Sequence, residues 1–174
     1  MQLSHRLILT GIPVVGLAAG APAVAQTMDV AVTVPRLSVA EYHKPYVAIY
    51  VEGNGAPART LSVWYDVKKA KNEGRKWLNE VRSWWRASGR TGAYIADGTS
   101  GATRAPGVQS LSFTNGKGPL ALKPGQYTLV VEAARETGGR EVLRLPFAWP
   151  PKPGQTARVA GKTELGAITV TFKP

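Results

Sequence analysis

Apolar residues alternate with small or polar ones over much of this chain. Residues 29–34 (Asp-Val-Ala-Val-Thr-Val) place valine at every second position, the period of a half-buried strand. Residues 46–52 and 60–66 are denser in β-branched and aromatic side chains, and Gly53-Asn54-Gly55-Ala56-Pro57 between them predicts a hairpin loop. Further strands are predicted at 108–114, 126–134, 141–147 and 166–172. Pro124-Gly125 reads as a turn, because proline presets φ and glycine accepts positive φ. Thr137-Gly138-Gly139 reads as a reversal between paired strands, and residues 150–154, Pro-Pro-Lys-Pro-Gly, as an extended connection to the last strand. Seven short strands punctuated in this way predict a mainly β chain, an immunoglobulin-like antiparallel β-sandwich.

One segment has a different period. Within residues 75–88, Trp77, Leu78, Val81, Trp84 and Trp85 recur at i, i+1, i+4, i+7 and i+8, and share one face of an α-helix. Arg75, Lys76, Arg82 and Arg86 occupy the remaining arc. This predicts one inserted amphipathic α-helix, inside an excursion from about residue 67 to residue 107 between two strands. Two roles are open to its tryptophans. They dock the helix on the sheets, or Trp84 or Trp85 lines a site for a flat aromatic ligand, with an arginine nearby for its phosphate.

The N-terminus changes where such a protein is expected to work. His5 and Arg6 precede an almost wholly apolar run from residue 7 to residue 19, and Ala23-Val24-Ala25 gives the small-x-small pattern of a signal-peptidase site. The run is short for a spanning helix and Pro13 interrupts it. The expectation is a signal peptide over residues 1–25, cleaved after Ala25, and a periplasmic mature protein that is not integral to a membrane. Residues 26–174 then form a single domain. They carry a net charge of +10, with Arg6 lost from the 22 Lys and Arg that face 11 Asp and Glu. In the cytosol that charge would suggest nucleic acid. Outside it no nucleic acid partner is expected, and anionic lipid headgroups, phosphorylated cofactors or acidic proteins take that place. The chain has no cysteine, so thiolate, haem-attachment and iron–sulfur chemistry are excluded, and His43 is the sole histidine beyond the signal. No Gly-x-Ser-x-Gly elbow is present. Glu132, Glu136 and Glu141 surround one hairpin and read as surface charge.

The excursion also holds Asp97-Gly98-Thr99-Ser100-Gly101-Ala102-Thr103. It resembles the Asp-x-x-Ser/Thr-Gly-Ala-Thr signature at which a periplasmic flavin transferase links FMN to the final threonine through a phosphoester. The match is complete at the defined positions, Asp97, Ser100, Gly101, Ala102 and Thr103. The residue types suit the chemistry. The Thr103 hydroxyl is a weak nucleophile that needs activation by the modifying enzyme. Gly101 and Ala102 keep the approach thin, Asp97 serves a local turn or contacts the transferase, and Pro106-Gly107 ends the loop. Arg104 is the nearest cation in sequence to the new phosphate.

Residues 45–51 (Pro-Tyr-Val-Ala-Ile-Tyr-Val), Lys76-Trp77-Leu78, Trp84-Trp85-Arg86, residues 100–107 and residues 122–136 (from Leu-Lys-Pro-Gly-Gln-Tyr-Thr onward) resemble the bacterial predicted periplasmic proteins grouped as domain of unknown function 2271. Members of that group are similar to proteins encoded beside PepSY-type membrane reductases and flavin transferases, which implies both as partners by association alone. Two functions of different class follow. One is an electron-transfer flavoprotein with covalent FMN, which supplies one- and two-electron chemistry that no side chain here provides. The other is a non-catalytic immunoglobulin-like accessory protein of a membrane redox or transport complex. A stand-alone enzyme has no catalytic constellation behind it.

Overall fold

The computed structural model describes residues 26–95, 98–152 and 154–173. The expected signal peptide, Asp97 and Pro153 lie outside these. Nine strands run in the order β1 (Thr27–Val34), β2 (Tyr46–Gly53), β3 (Ala56–Tyr65), β4 (Ser100–Ala102), β5 (Gly107–Thr114), β6 (Gly125–Ala134), β7 (Arg140–Trp149), β8 (Thr156–Ala160) and β9 (Ala167–Lys173). They form two sheets, a four-stranded one ordered β5-β1-β9-β8 and a five-stranded one ordered β4-β3-β2-β6-β7. Every pairing is antiparallel except β3 with β4.

The burial of each strand follows from what covers it. In β1 the residues alternate strictly between half-buried and buried, and Met28, Val30, Val32 and Val34 point into the core. In β2, residues 47–51 are all buried. Val47, Ile49 and Val51 meet the four-stranded sheet, while Ala48 and Tyr50 lie under the excursion in a second cluster with Val63, Leu78, Val81 and Trp84. A sheet covered on both faces needs near-continuous apolar strands, which is why residues 46–52 lack a polar alternation. The β2–β3 turn uses Asn54 and Gly55, at φ 57° and 66°, the left-handed pair of a tight hairpin.

All seven predicted strands are present, and two more are added. β8 follows the proline-rich connection and pairs with β9, so that connection leads to an edge strand rather than directly to the last one. β4 is the other addition, and it lies within the flavin-like motif.

The predicted helix over 75–88 is corrected. Its first part is a 3-10 run, Ala70–Glu80, with Lys71 and Asn72 in left-handed conformation, and the chain breaks at Val81 (ψ 68°). Only Arg82–Ala87 is α-helical (α1). Leu78 near the end of the 3-10 run, Val81 at the break and Trp84 in α1 are the fully buried apolar positions of this segment, spaced by three. Trp77 leaves the buried face and is 48% exposed. Gly74, inside the run, packs against the chain just past β3, where a Cβ would collide with the Asp66 carbonyl.

Candidate cofactor-attachment site

β4 is short because little besides three backbone pairings holds it. Ser100, Gly101 and Ala102 lie beside Val63, Trp64 and Tyr65 of β3. The backbone bonds Val63 N–H to Thr99 O (2.6 Å) and Thr103 N–H to Tyr65 O (3.2 Å) close the two ends. β4 is the edge of its sheet, so its other side has no strand. The motif expected to be a surface loop is therefore a strand laid on the sheet edge, with Ser100 and Ala102 exposed and Thr103 half-buried just past its end.

The three hydroxyls of this segment are not equivalent. Thr99 Oγ1 donates to Tyr94 O at 2.6 Å, and Ser100 Oγ donates to the same carbonyl. Among the described residues the Thr103 hydroxyl has no hydrogen-bond partner. Gly101 is also unexplained by the fold. Its φ is not in the left-handed region, and an added Cβ would meet only Arg104 Nη2 and Trp64 Cδ1, both at an ordinary 3.8 Å. The glycine is thus not demanded by anything inside the molecule. Gly98, by contrast, has φ 81° and needs its residue type. Arg104 is exposed, and its guanidinium carbon lies 5.5 Å from the Trp64 ring centre, a cation–π contact that holds the cation next to Thr103 in the chain.

The structure separates the two tryptophans proposed for ligand contact. Trp84 is fully buried, its Nε1 donates to Thr60 Oγ1 at 2.8 Å, and Tyr94 packs edge-on at 5.3 Å. It has no face left for a ligand and docks the excursion on the sheet. Trp85 is partly exposed and tilted against Trp84 at 6.1 Å. Tyr94, which sequence reading passed over, proves central: its carbonyl ties Thr99 and Ser100, and its ring also contacts Tyr65. Burial pushes the Tyr94 and Tyr46 phenols above their ordinary range, so both are neutral at neutral pH. Spacing gave no signal for Tyr94, because its role is carried by its backbone oxygen.

Glu132 is a second correction. It is fully buried, not a surface charge. Its carboxylate accepts Ser83 N–H (3.0 Å), Trp84 N–H (2.8 Å) and Arg140 Nε (2.6 Å), so β6 supplies the N-terminal cap of α1. Glu141 likewise accepts the N–H groups of Lys162, Thr163 and Leu165. Among the described residues no group of three or more His, Asp or Glu is arranged to hold a metal, and no helix is long and apolar enough to cross a membrane.

A two-sheet β protein that lays an exposed hydroxyl-bearing segment along a sheet edge is the class these features define. The family described as "Predicted periplasmic protein (DUF2271)" matches residues 27–167, and the chain belongs to that family. The protein is periplasmic, as the export signal led one to expect. No curated protein and no solved structure gives a significant match.

Proposed function

We propose that this protein is a periplasmic electron carrier whose FMN is esterified to Thr103 by a flavin transferase. The observation that carries the reading is the contrast among hydroxyls. Thr99 and Ser100 are tied inward to Tyr94 O, whereas the Thr103 hydroxyl has no internal partner among the described residues. Gly101 supports it, because a glycine that the fold does not require suits the close approach of a modifying enzyme to an edge strand. On attachment, the bond from Thr103 Oγ to the FMN phosphorus forms as the pyrophosphate bond of a flavin dinucleotide donor breaks. Adenylate leaves with the bridging oxygen, and the hydroxyl proton passes to the transferase. The bound group would supply one- and two-electron transfer. Arg104 places a cation beside the phosphoester, and the β3–β4 pairing fixes the backbone that presents Thr103.

The protein should be co-expressed and exported with the transferase, then its intact and peptide masses measured. One added FMN on Thr103, retained after denaturation, is the expected result. An unmodified mass beside an active transferase would refute it. The accessory-protein reading then stands, and one observation favours it. Residues 67–107 carry nine Lys and Arg against three Asp and Glu, +6 of the chain's +11, and expose Trp77 among them. We read the two mainly antiparallel sheets as immunoglobulin-like under either function.

A further inference from the structure

Trp84 is closed to ligands, so its face cannot receive the ring of a flavin on Thr103. A groove of about 730 Å³ opens where the β2–β3 hairpin, the 119–123 segment and the approach to β4 meet. That volume lies in the range of small-molecule sites. Its lining includes the small apolar residues Ala56, Ala58 and Ala121, which leave width for a flat ring, beside polar groups such as Asn54 and Ser88. Arg59 and Lys123 stand on its rim, and no carboxylate lines it among the described residues. Thr99 forms part of the wall, which joins the groove to the attachment motif.

Position along the strand links groove and attachment point. Thr99 O accepts from Val63 N–H and Thr103 N–H donates to Tyr65 O, while Ala58, Arg59 and Thr60 line the groove further back on β3. The four steps from Thr99 to Thr103 span about 13 Å at ~3.3 Å per residue. An extended ribityl chain with its three-ring system covers a comparable length.

We propose that this groove is the seat of the isoalloxazine ring, a proposal that rests on the flavin reading of Thr103. The small side chains admit the apolar benzenoid part of the ring. Arg59 and Lys123 favour the pyrimidine part, which gains negative charge when the ring is reduced. Sequence reading missed the groove because its residues come from four separate stretches and none is unusual by itself.

Two probes test it. Riboflavin carries the ring without the phosphate, so its binding to the mature, unmodified protein reports on the groove independently of Thr103. Its fluorescence anisotropy should rise with wild-type protein, and this rise should be lost in Ala121→Trp, which fills the groove from an exposed position. In protein carrying FMN, Ala121→Trp should remove the resolved shoulders of the visible flavin band. Arg59→Glu with Lys123→Glu should lower the midpoint potential. Thermal melting checks that Ala121→Trp folds, and Ala56→Trp replaces it if it does not. The proposal is overturned if the groove-filling variant leaves both the riboflavin and the attached-flavin signals at wild-type values. If mass spectrometry finds no FMN on Thr103, the flavin function fails, and the riboflavin titration alone decides the groove.

Discussion

Replacing Glu132 with glutamine removes one charge and almost no volume, at a position with no solvent exposure. Three donors converge on the carboxylate: the N–H groups of Ser83 and Trp84, at 3.0 and 2.8 Å, and Arg140 Nε at 2.6 Å. A glutamine offers one acceptor oxygen, and its amide nitrogen would face a donor. Hydrogen bonds to a charged group contribute about 1.5–3 kcal/mol each. The Arg140 contribution must be discounted, because that side chain is 35% exposed and well hydrated. The expected loss for Glu132→Gln is roughly 2–4 kcal/mol, out of the 5–15 kcal/mol typical of a whole domain. At about 2–4 °C per kcal/mol for a chain of this size, the melting point should fall by roughly 5–15 °C. Arg140→Ala should cost less, since Glu132 keeps both backbone donors. Urea unfolding followed by tryptophan fluorescence measures the difference, with Trp84 on the capped helix as an internal reporter. A Glu132→Gln midpoint within experimental error of wild type would refute the cap as a stabilising element.

The remaining predictions separate fold from function. Trp84→Ala should lose on the order of 3–5 kcal/mol, the usual cost of emptying a large buried site, while Trp77→Ala, at a side chain 48% exposed, should melt close to wild type. Thr103→Val should abolish flavin attachment with no change in melting, read by intact mass and calorimetry on one preparation. Gly101→Val should also fold normally, because a Cβ finds room there, yet accept little or no flavin. Glu141 is held below the ordinary carboxylate range: burial acts to raise it, but the N–H groups of Lys162, Leu165 and Thr163 together outweigh that. A depressed folded-state value means its contribution is present above the unfolded value and is lost as pH falls through the folded one. Glu141→Gln should therefore flatten the acid limb of stability against pH and lower stability at neutral pH, measured by urea unfolding from neutral pH downward.

How much was legible in the sequence depended on whether a local pattern carried the information. All seven predicted strands exist because each has apolar residues at the strand period or a dense β-branched run. β8 was missed because Thr156–Ala160 has only Ala157 and Val159 turned inward, too little apolar signal beside a proline-rich stretch. The single α-helix was wrong in detail because Leu78, Val81 and Trp84, which line up at a period of 3, still fall within one face, an arc of about 120°, at a period of 3.6. The difference shows mainly at Trp77, which a helix buries and the observed 3-10 run exposes. Glu132 was unreadable for another reason. Its two backbone donors lie 48 and 49 residues away, and no spacing rule connects a strand carboxylate to a helix so much earlier in the sequence.

The motif presents a different case, in which the structure changes the local conformation that the sequence suggests. Read alone, Asp97–Thr103 suggests a glycine-rich loop whose freedom lets an enzyme reach the acceptor. Pairing of Ser100–Ala102 with β3 replaces that freedom with a fixed edge. A fixed acceptor loses less conformational entropy on entering a second protein's active site, and afterwards it limits where a tethered group can go. Orientation and tethering together raise the local concentration of such a group at a nearby surface. Under the proposed flavin reading, the β4 pairing that would present Thr103 to a transferase would also limit which groove a ribityl-linked ring can reach. The inward hydrogen bonds of Thr99 and Ser100 anchor the segment on Tyr94, and under the proposed flavin reading they leave Thr103, among the described hydroxyls of the motif, as the one open to a modifying enzyme.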